Sequence, residues 1–384
     1  MLDNKRKQNL DFLFVNGGIT LGPNGGYEVT YKIAKVLAER GYTVGIVFIR
    51  DIFRQILHYY PSHKLKKYVQ GHISYSIYSN LVNWKFGWIP KKLIRLLKNI
   101  GYEENFGQVN IFFSNGLNLP TSNVAVANGW HNALILNKVD STHKKFILAQ
   151  QDDADTRWNP DLFEIAKSGL SLGLPIISTN SEVDKRYGSF LIGSIPLAID
   201  LETFSCKEPP EIRTKKSVLI PLRSFPHKGA KLGLEILDKI HTINPEAELN
   251  AFGDISKSLV PSYVNYFGVL SSEELSSLYN RASVFVLPSL VEGFGLTALE
   301  AMACGAAVVS TDNGGVKEFL NSGINGIIVE VFDSNVISEV VNKLLNTNPD
   351  RVKIAKEGMK TASIHTIDSM VETFLSLVNK DRNS

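Results

Sequence analysis

Short apolar runs recur along this chain, most bounded by glycine or polar residues and separated by stretches with a helical period. A first series covers residues 12–15, 43–49, 109–114, 122–127, 145–149 and 176–179. A second covers 217–221, 248–252, 284–287 and 306–310. Apolar runs this short, without polar alternation, read as strands buried on both faces. Between them, helices are predicted over about 27–39, where Val29, Ile33, Val36 and Leu37 share one side, and over 230–241, 273–280 and 296–304. A helical tail runs from about 335 onward and is amphipathic over 367–378. Strands alternating with helices predict α/β architecture with parallel sheets. The clearest unit is 284–311: a strand, a glycine loop, a helix of strong formers stopped by Gly305, and a second strand.

Length then divides the pattern. At 384 residues the chain exceeds one ordinary core. Residues 196–216 are polar and contain Pro209-Pro210, so the linker is placed there. We expect two Rossmann-like domains, 1–200 and 201–365, with 366–384 as a final helix returning to the first. Apolar residues make up 44% and charged residues 21%, which excludes disordered and fibrous classes. Two cysteines, Cys206 and Cys304, are too few for a disulfide framework and fit a reducing cytoplasm. The charged N-terminus precedes no long apolar segment and no run of about 20 apolar residues occurs, so we expect neither secretory signal nor membrane span. A net charge of +3 does not argue for nucleic acid, and none is expected as a partner.

Residues 50–98 differ from the rest. They hold ten Lys or Arg and one acid, Asp51, with Tyr59, Tyr60, Tyr68, Trp84, Phe86 and Trp88 interleaved. Over 91–100, Leu93, Ile94, Leu96 and Leu97 lie opposite Lys91, Lys92, Arg95 and Lys98. That pattern suits an anionic membrane surface, and equally an ordinary helix packed on its own domain.

Candidate chemistry gathers past the strand ends, where open parallel sheets bind ligands. The loop at 288–295 leads into a helix N-terminus, a ready anion site. Glu292 and Glu300 bracket it with seven residues between them. Arg223 and Lys228 follow the strand at 217–221. In the first half, Gly25 and Gly26 close a glycine-rich loop without a clean GxGxxG, and the clusters at 128–131 and 150–155 follow strand ends. The ligand implied is phosphorylated and rich in hydroxyls. Plainer readings stand beside each residue: Thr297-x-x-Glu300 is also a capping box, Arg223 and Lys228 also suit a solvated surface, and His131 also suits a loop.

These motifs resemble the GT-B glycosyltransferases, specifically the retaining family GT4. Glu292-Gly-Phe-Gly-Leu-Thr-Ala-Leu-Glu300 is similar to that family's E-x7-E element, and Arg223 with Lys228 to its R-x4-K pair. Gly314-Gly315 with Glu318, and Asn325-Gly326, are similar to its later motifs. The resemblance is strong over 195–330 and poor over 51–150. It implies a GT-B fold, two Rossmann-like domains facing across a cleft, with acceptor on the first and nucleotide-sugar donor on the second. It implies that Arg223 and Lys228 hold the diphosphate with the N–H groups of Leu296 and Thr297, and that Glu300 takes ribose hydroxyls. Glu292 would touch sugar hydroxyls, and His131 would lie near the anomeric centre. Gly25, Gly26, Gly253, Gly293, Phe294 and Gly295 complete the expected donor contacts; Glu292, His131, Arg223 and Lys228 are the expected catalytic set.

The implied function is metal-independent, retaining hexosyl transfer from a nucleotide-diphosphate sugar to a glycan or lipid-linked glycan in cell-surface polysaccharide synthesis. We expect it in the cytoplasm, at the inner face of the cell membrane. No cofactor is expected beyond the donor substrate. Asp153 and Asp155 form a D-x-D, which holds a divalent metal in GT-A enzymes; in this architecture acceptor hydroxyls or solvent are expected instead. Two alternatives remain, a nucleotide-sugar epimerase and a non-catalytic partner subunit.

Overall fold

The computed structural model describes residues 9–17, 25–49, 108–114, 119–138, 142–150, 169, 171–213 and 216–380. Residues 18–24 of the glycine-rich stretch, the basic aromatic stretch of 50–100 and the Asp153–Asp155 cluster lie outside the described residues. The chain divides into two compact units, one formed by residues 1–196 with 370–384 and the other by 197–369.

In the first unit, β1 (Leu10–Gly17), β2 (Val44–Ile49), β3 (Val109–Ser114), β4 (Ser122–Asn128), β5 (Thr142–Ala149), β6 (Ile176–Ser178) and β7 (Leu191–Ser194) form one parallel sheet. Its order is β3-β2-β1-β4-β5-β6-β7. Among the described residues its helices include α1 (Gly25–Glu39), α2 (Trp130–Leu136) and α3 (Ser181–Tyr187). On one face Leu13, Val15, Val47 and Ile49 pack with Trp130, Leu134 and Val183. On the other, Phe12 and Phe14 meet Phe374 at ring separations of 6.0 and 5.9 Å, and Tyr27 and Tyr31 of α1 meet Phe48.

In the second unit, β8 (Ser217–Leu222), β9 (Glu248–Gly253), β10 (Asn265–Tyr266), β11 (Val284–Leu287), β12 (Ala307–Thr311) and β13 (Ile327–Val329) form a second parallel sheet. Helices α4 (Ala230–Ile243), α5 (Ser272–Arg281), α6 (Leu296–Ala303), α7 (Ser334–Asn346) and α8 (Asn348–Ser363) flank it, and α9 (Ile367–Asn379) passes from this unit into the first, which holds it from residue 370. β8, β11 and β12 are buried at every position because helices cover both faces. The core joins Ile220, Val284, Val286 and Val309 to Ile236 and Leu237 of α4 and Val341 and Leu344 of α7.

Four readings change. Gly25 and Gly26 form the first turn of α1 instead of ending a loop before it. The cluster at 128–131 is split: Asn128 ends β4, and Trp130 and His131 open α2, because Ala133 to Leu136 supply an apolar helical run that is fully buried. β7 and β10, four and two residues long, carry too little pattern to be read from sequence. The expected linker is packed structure: Leu197, Ala198, Ile199, Phe204 and Arg213 are all buried.

Truncating Phe374 removes a side chain with no solvent exposure from the first unit's aromatic face. Phe374→Ala should cost about 3–5 kcal/mol, seen in denaturant titration as an earlier transition of that unit with the second unit's transition unmoved.

Candidate active site

The second sheet runs β10-β9-β8-β11-β12-β13, so its order reverses between β8 and β11. Loops leaving the two strands at such a reversal part and leave a crevice. Three loops gather here: 223–229 after β8, 288–295 after β11 and 312–318 after β12. They are joined backbone to backbone. Leu290 N donates to His227 O at 2.8 Å, and Glu292 N to Asn313 O at 3.0 Å. Gly229 has φ 69°, and a Cβ there would lie 1.9 Å from Pro288 O. At Gly315 a Cβ would lie 2.5 Å from Phe294 N and 2.7 Å from Glu292 O. Glycine is required at both positions by these close approaches.

Lys228 Nζ lies 2.8 Å from Glu292 Oε2, and Ser289 Oγ donates to Oε1 at 2.7 Å. Both oxygens keep a second lone pair for further donors. Arg223 Nε lies 3.8 Å from Asp254 Oδ1. The same carboxylate fixes the start of this loop, accepting from Ser224 N at 2.7 Å and Ser224 Oγ at 2.9 Å. Gly253, just before Asp254, ends β9 and donates its N–H to Gly268 O at 2.8 Å. His227 stacks on exposed Phe225, its pKa pushed down to about 4 by burial and then by the Lys228 ammonium.

Helix α6 starts at Gly295, whose φ of 95° leaves the helical region. Ala298 N and Leu299 N turn back to Gly295 O. The N–H groups of Leu296 and Thr297 precede them, in the first turn, where intrahelical acceptors are lacking. Because Gly295 is the N-cap, Thr297 lies inside the helix and Thr297-x-x-Glu300 is no capping box. Glu300 instead accepts from Tyr279 Oη at 3.3 Å, and both residues are buried. Phe294 is buried against Phe319 and His365, with ring separations of 5.1 and 5.8 Å.

Arg213, only 4% exposed, accounts for the other end of α6. Its guanidinium donates to Tyr279 O at 3.3 Å, Ala282 O at 2.8 Å and Glu208 O at 2.7 Å, and to Cys304 O. The cation therefore sits at the carboxyl ends of both α5 and α6. A charge so placed stabilises a helix by about 0.3–1 kcal/mol when exposed and up to about 2 kcal/mol when buried.

In the first unit the order reverses between β1 and β4. Amides line that edge, Asn16 and Asn128 buried and Gln150 half-buried: Asn128 Nδ2 donates to Asn16 Oδ1 at 3.1 Å, and Gln150 Nε2 to Asn128 Oδ1 at 2.8 Å. His131, in the first turn of α2, rests against Gly17, where a Cβ would lie 2.8 Å from ring atoms Cδ2 and Nε2. The ring keeps some solvent access, yet desolvation pushes its pKa down to about 4.

The fold thus brings Arg223, Lys228, Gly253, Glu292, Gly293, Gly295, Leu296, Thr297 and Glu300 to one sheet edge. His131, Gly25 and Gly26 belong to the other unit. Sequence reasoning gave no role to Ser289, Asp254, Asn313, Tyr279 or Gly17. Ser289 was the accessible one, three residues before Glu292 in the same loop.

Residues 204–361 match the family described as glycosyl transferases group 1. Through this stretch, less than half of its length, the chain is similar to the group 1 glycosyl transferases. Among curated relatives, an uncharacterized glycosyltransferase of Methanocaldococcus jannaschii is 30% identical over 140 residues, 35% of this chain and 39% of that protein. The N,N′-diacetylbacillosaminyl-diphospho-undecaprenol alpha-1,3-N-acetylgalactosaminyltransferase of Campylobacter jejuni is 27% identical over 177 residues, 44% of this chain and 46% of that protein. The chain therefore spans less than half the length of these two relatives. Among solved structures, sucrose-phosphate synthase from Thermosynechococcus elongatus superposes with a TM-score of 0.67 at 15% identity, covering 96% of this chain and 98% of that one. TarM of S. aureus, solved with fondaparinux, alpha-GlcNAc-glycerol and UDP, gives 0.66 at 13%, covering 97% and 100%. These likenesses establish the fold, which is GT-B. Among the described residues no cluster of His, Cys, Asp and Glu gathers as a metal site, and no helix is long and apolar enough to cross a membrane.

Two outcomes test this geometry. Gly229→Ala forces a Cβ into Pro288 O and a left-handed φ on alanine, and should cost about 1–3 kcal/mol in thermal or denaturant unfolding. Acid should also destabilise both units. His131 and His227 stay neutral when folded down to about pH 4 but take up protons near pH 6.5 when unfolded. Stability should therefore fall as pH drops from about 6.5 to 4, and His131→Gln should flatten that slope for the first unit alone.

Proposed function

We propose that this chain is a glycosyltransferase that moves a hexosyl group from a nucleotide-diphosphate sugar to a glycan or lipid-linked glycan. The observation that carries the reading is the convergence of two cations, a helix start and two buried or half-buried carboxylates at one sheet reversal. The diphosphate lies against Arg223, Lys228 and the N–H groups of Leu296 and Thr297. Glu300 accepts from the ribose hydroxyls, and Glu292 from hydroxyls of the transferred sugar. As the bond from the anomeric carbon to the diphosphate breaks, negative charge grows on the leaving oxygen. Preorganised cations and N–H donors stabilise that charge without reorganising. The same charges serve in place of a metal ion.

Retention follows if the acceptor hydroxyl attacks from the face the diphosphate leaves, its proton passing to the departing oxygen. In this reading the first unit, which carries His131, Gly25 and Gly26, takes the acceptor. The lipid-linked acceptor is supported by the name of the Campylobacter jejuni relative. UDP as the nucleotide is supported by HepE of Anabaena, a structural neighbour solved with UDP-glucose, and by TarM. We place the enzyme in cell-surface polysaccharide synthesis, in the cytoplasm at the inner face of the membrane, with residues 50–100 as the candidate contact.

Incubation with UDP-, GDP- and dTDP-sugars tests the reading. A transferase should release free sugar and nucleoside diphosphate slowly without acceptor, and faster with one. An altered sugar nucleotide would identify an epimerase instead, and binding without turnover a partner subunit. Glu300→Ala should weaken nucleoside diphosphate binding by about 1–3 kcal/mol, measured by calorimetry. Lys228→Ala should lower kcat by roughly 10²–10³, the range for losing one preorganised donor.

A further inference from the structure

Among the described residues Tyr279 has the largest side chain with almost no exposure, and three aromatic rings pack around it. Its ring meets Phe285 edge-on at 5.4 Å and Phe252 edge-on at 6.2 Å, and lies tilted against Phe204 at 6.0 Å. Its hydroxyl alone is polar, and that hydroxyl donates to Glu300 Oε2 at 3.3 Å. A phenol buried among phenyl rings needs a partner, and the partner here is the carboxylate at the end of the crevice. Both supports of this contact are fixed independently. α5 is set at its start by the Ser271–Glu274 capping box, and Arg213 grips the carboxyl ends of α5 and α6 together.

We propose that Tyr279 is a positioning residue for ribose recognition: it holds one oxygen of Glu300 so that the carboxylate meets the ribose diol in a single orientation. This rests on the reading that Glu300 binds ribose. Orientation matters because two adjacent hydroxyls can both be satisfied only by a carboxylate held in a fixed plane. A carboxylate that rotates would still attract one hydroxyl but would discriminate poorly between a diol and a single hydroxyl.

The test is calorimetric titration of the full chain with UDP and GDP and with their 2′-deoxy counterparts. Tyr279→Phe keeps the ring and removes only the hydroxyl. It should weaken binding of the tighter ribonucleotide about three- to tenfold and bring its affinity close to that of the 2′-deoxy form. Added to Glu300→Ala, it should change nothing further, since the hydroxyl acts through that carboxylate. Equal losses in both backgrounds, an unchanged ratio of ribo to deoxy affinity, or failure of Tyr279→Phe to fold would each assign the hydroxyl to the core and overturn the proposal. Wild-type discrimination retained in Glu300→Ala, or no binding of either nucleotide, would remove the underlying ribose reading and the proposal with it.

Discussion

Backbone pressed directly on backbone is the constraint on which this site depends. Three loops from adjacent parallel strands meet where the second sheet reverses, and side chains do not separate them. Pro288 O occupies the space a Cβ of residue 229 would take, and Glu292 O and Phe294 N border the space a Cβ of residue 315 would take. Hydrogen bonds from Leu290 N and Glu292 N complete the junction. Side chains carried by such a framework need little further ordering. Lys228 and Glu292, 64 residues apart, meet at 2.8 Å because their loops are already in register. The entropy of arranging them is met by folding and need not be met again on binding.

Charge is distributed with the same economy. The positive ends of the site are a lysine, an arginine and the start of α6. Each is tied to an acceptor or balanced at its far end: Lys228 by Glu292, Arg223 by Asp254, and the carboxyl end of α6 by Arg213. Arg213 has no carboxylate among its hydrogen-bond acceptors, which are backbone carbonyls at helix ends and the linker together with Cys206 Sγ. Partial charges on helix termini can therefore do for a buried guanidinium what a carboxylate usually does.

Much of this was legible in the residues. Continuous apolar runs identify a strand buried on both faces, and 284–287 and 109–114 were read to the residue. The spacing of Glu292 and Glu300, with Arg223 and Lys228 beyond a buried strand, pointed to one sheet edge, and the loops after β8 and β11 carry these residues there. What could not be read depends on tertiary contact. Tyr279 looks like any apolar helix position until its hydroxyl is found against a residue on another helix. Gly17 is one glycine among several until His131 is seen resting on it. Residues 196–216 look like a loose linker by composition, because Arg213 reads as solvated until its carbonyl partners are known. Local period carries none of that information.

The interlocked glycines also bear on how such a protein can be changed. Loops 223–229, 288–295 and 312–318 share their backbone surfaces, so none of them is an independent module. Grafting one from a relative with a different donor preference would place foreign backbone against contacts tolerant to a few tenths of an ångström. The unit of exchange is the whole triplet with the strands that launch it. By the same logic, diversification by single substitution is confined to side chains that point away from those seams, such as the exposed Phe225 and Leu290.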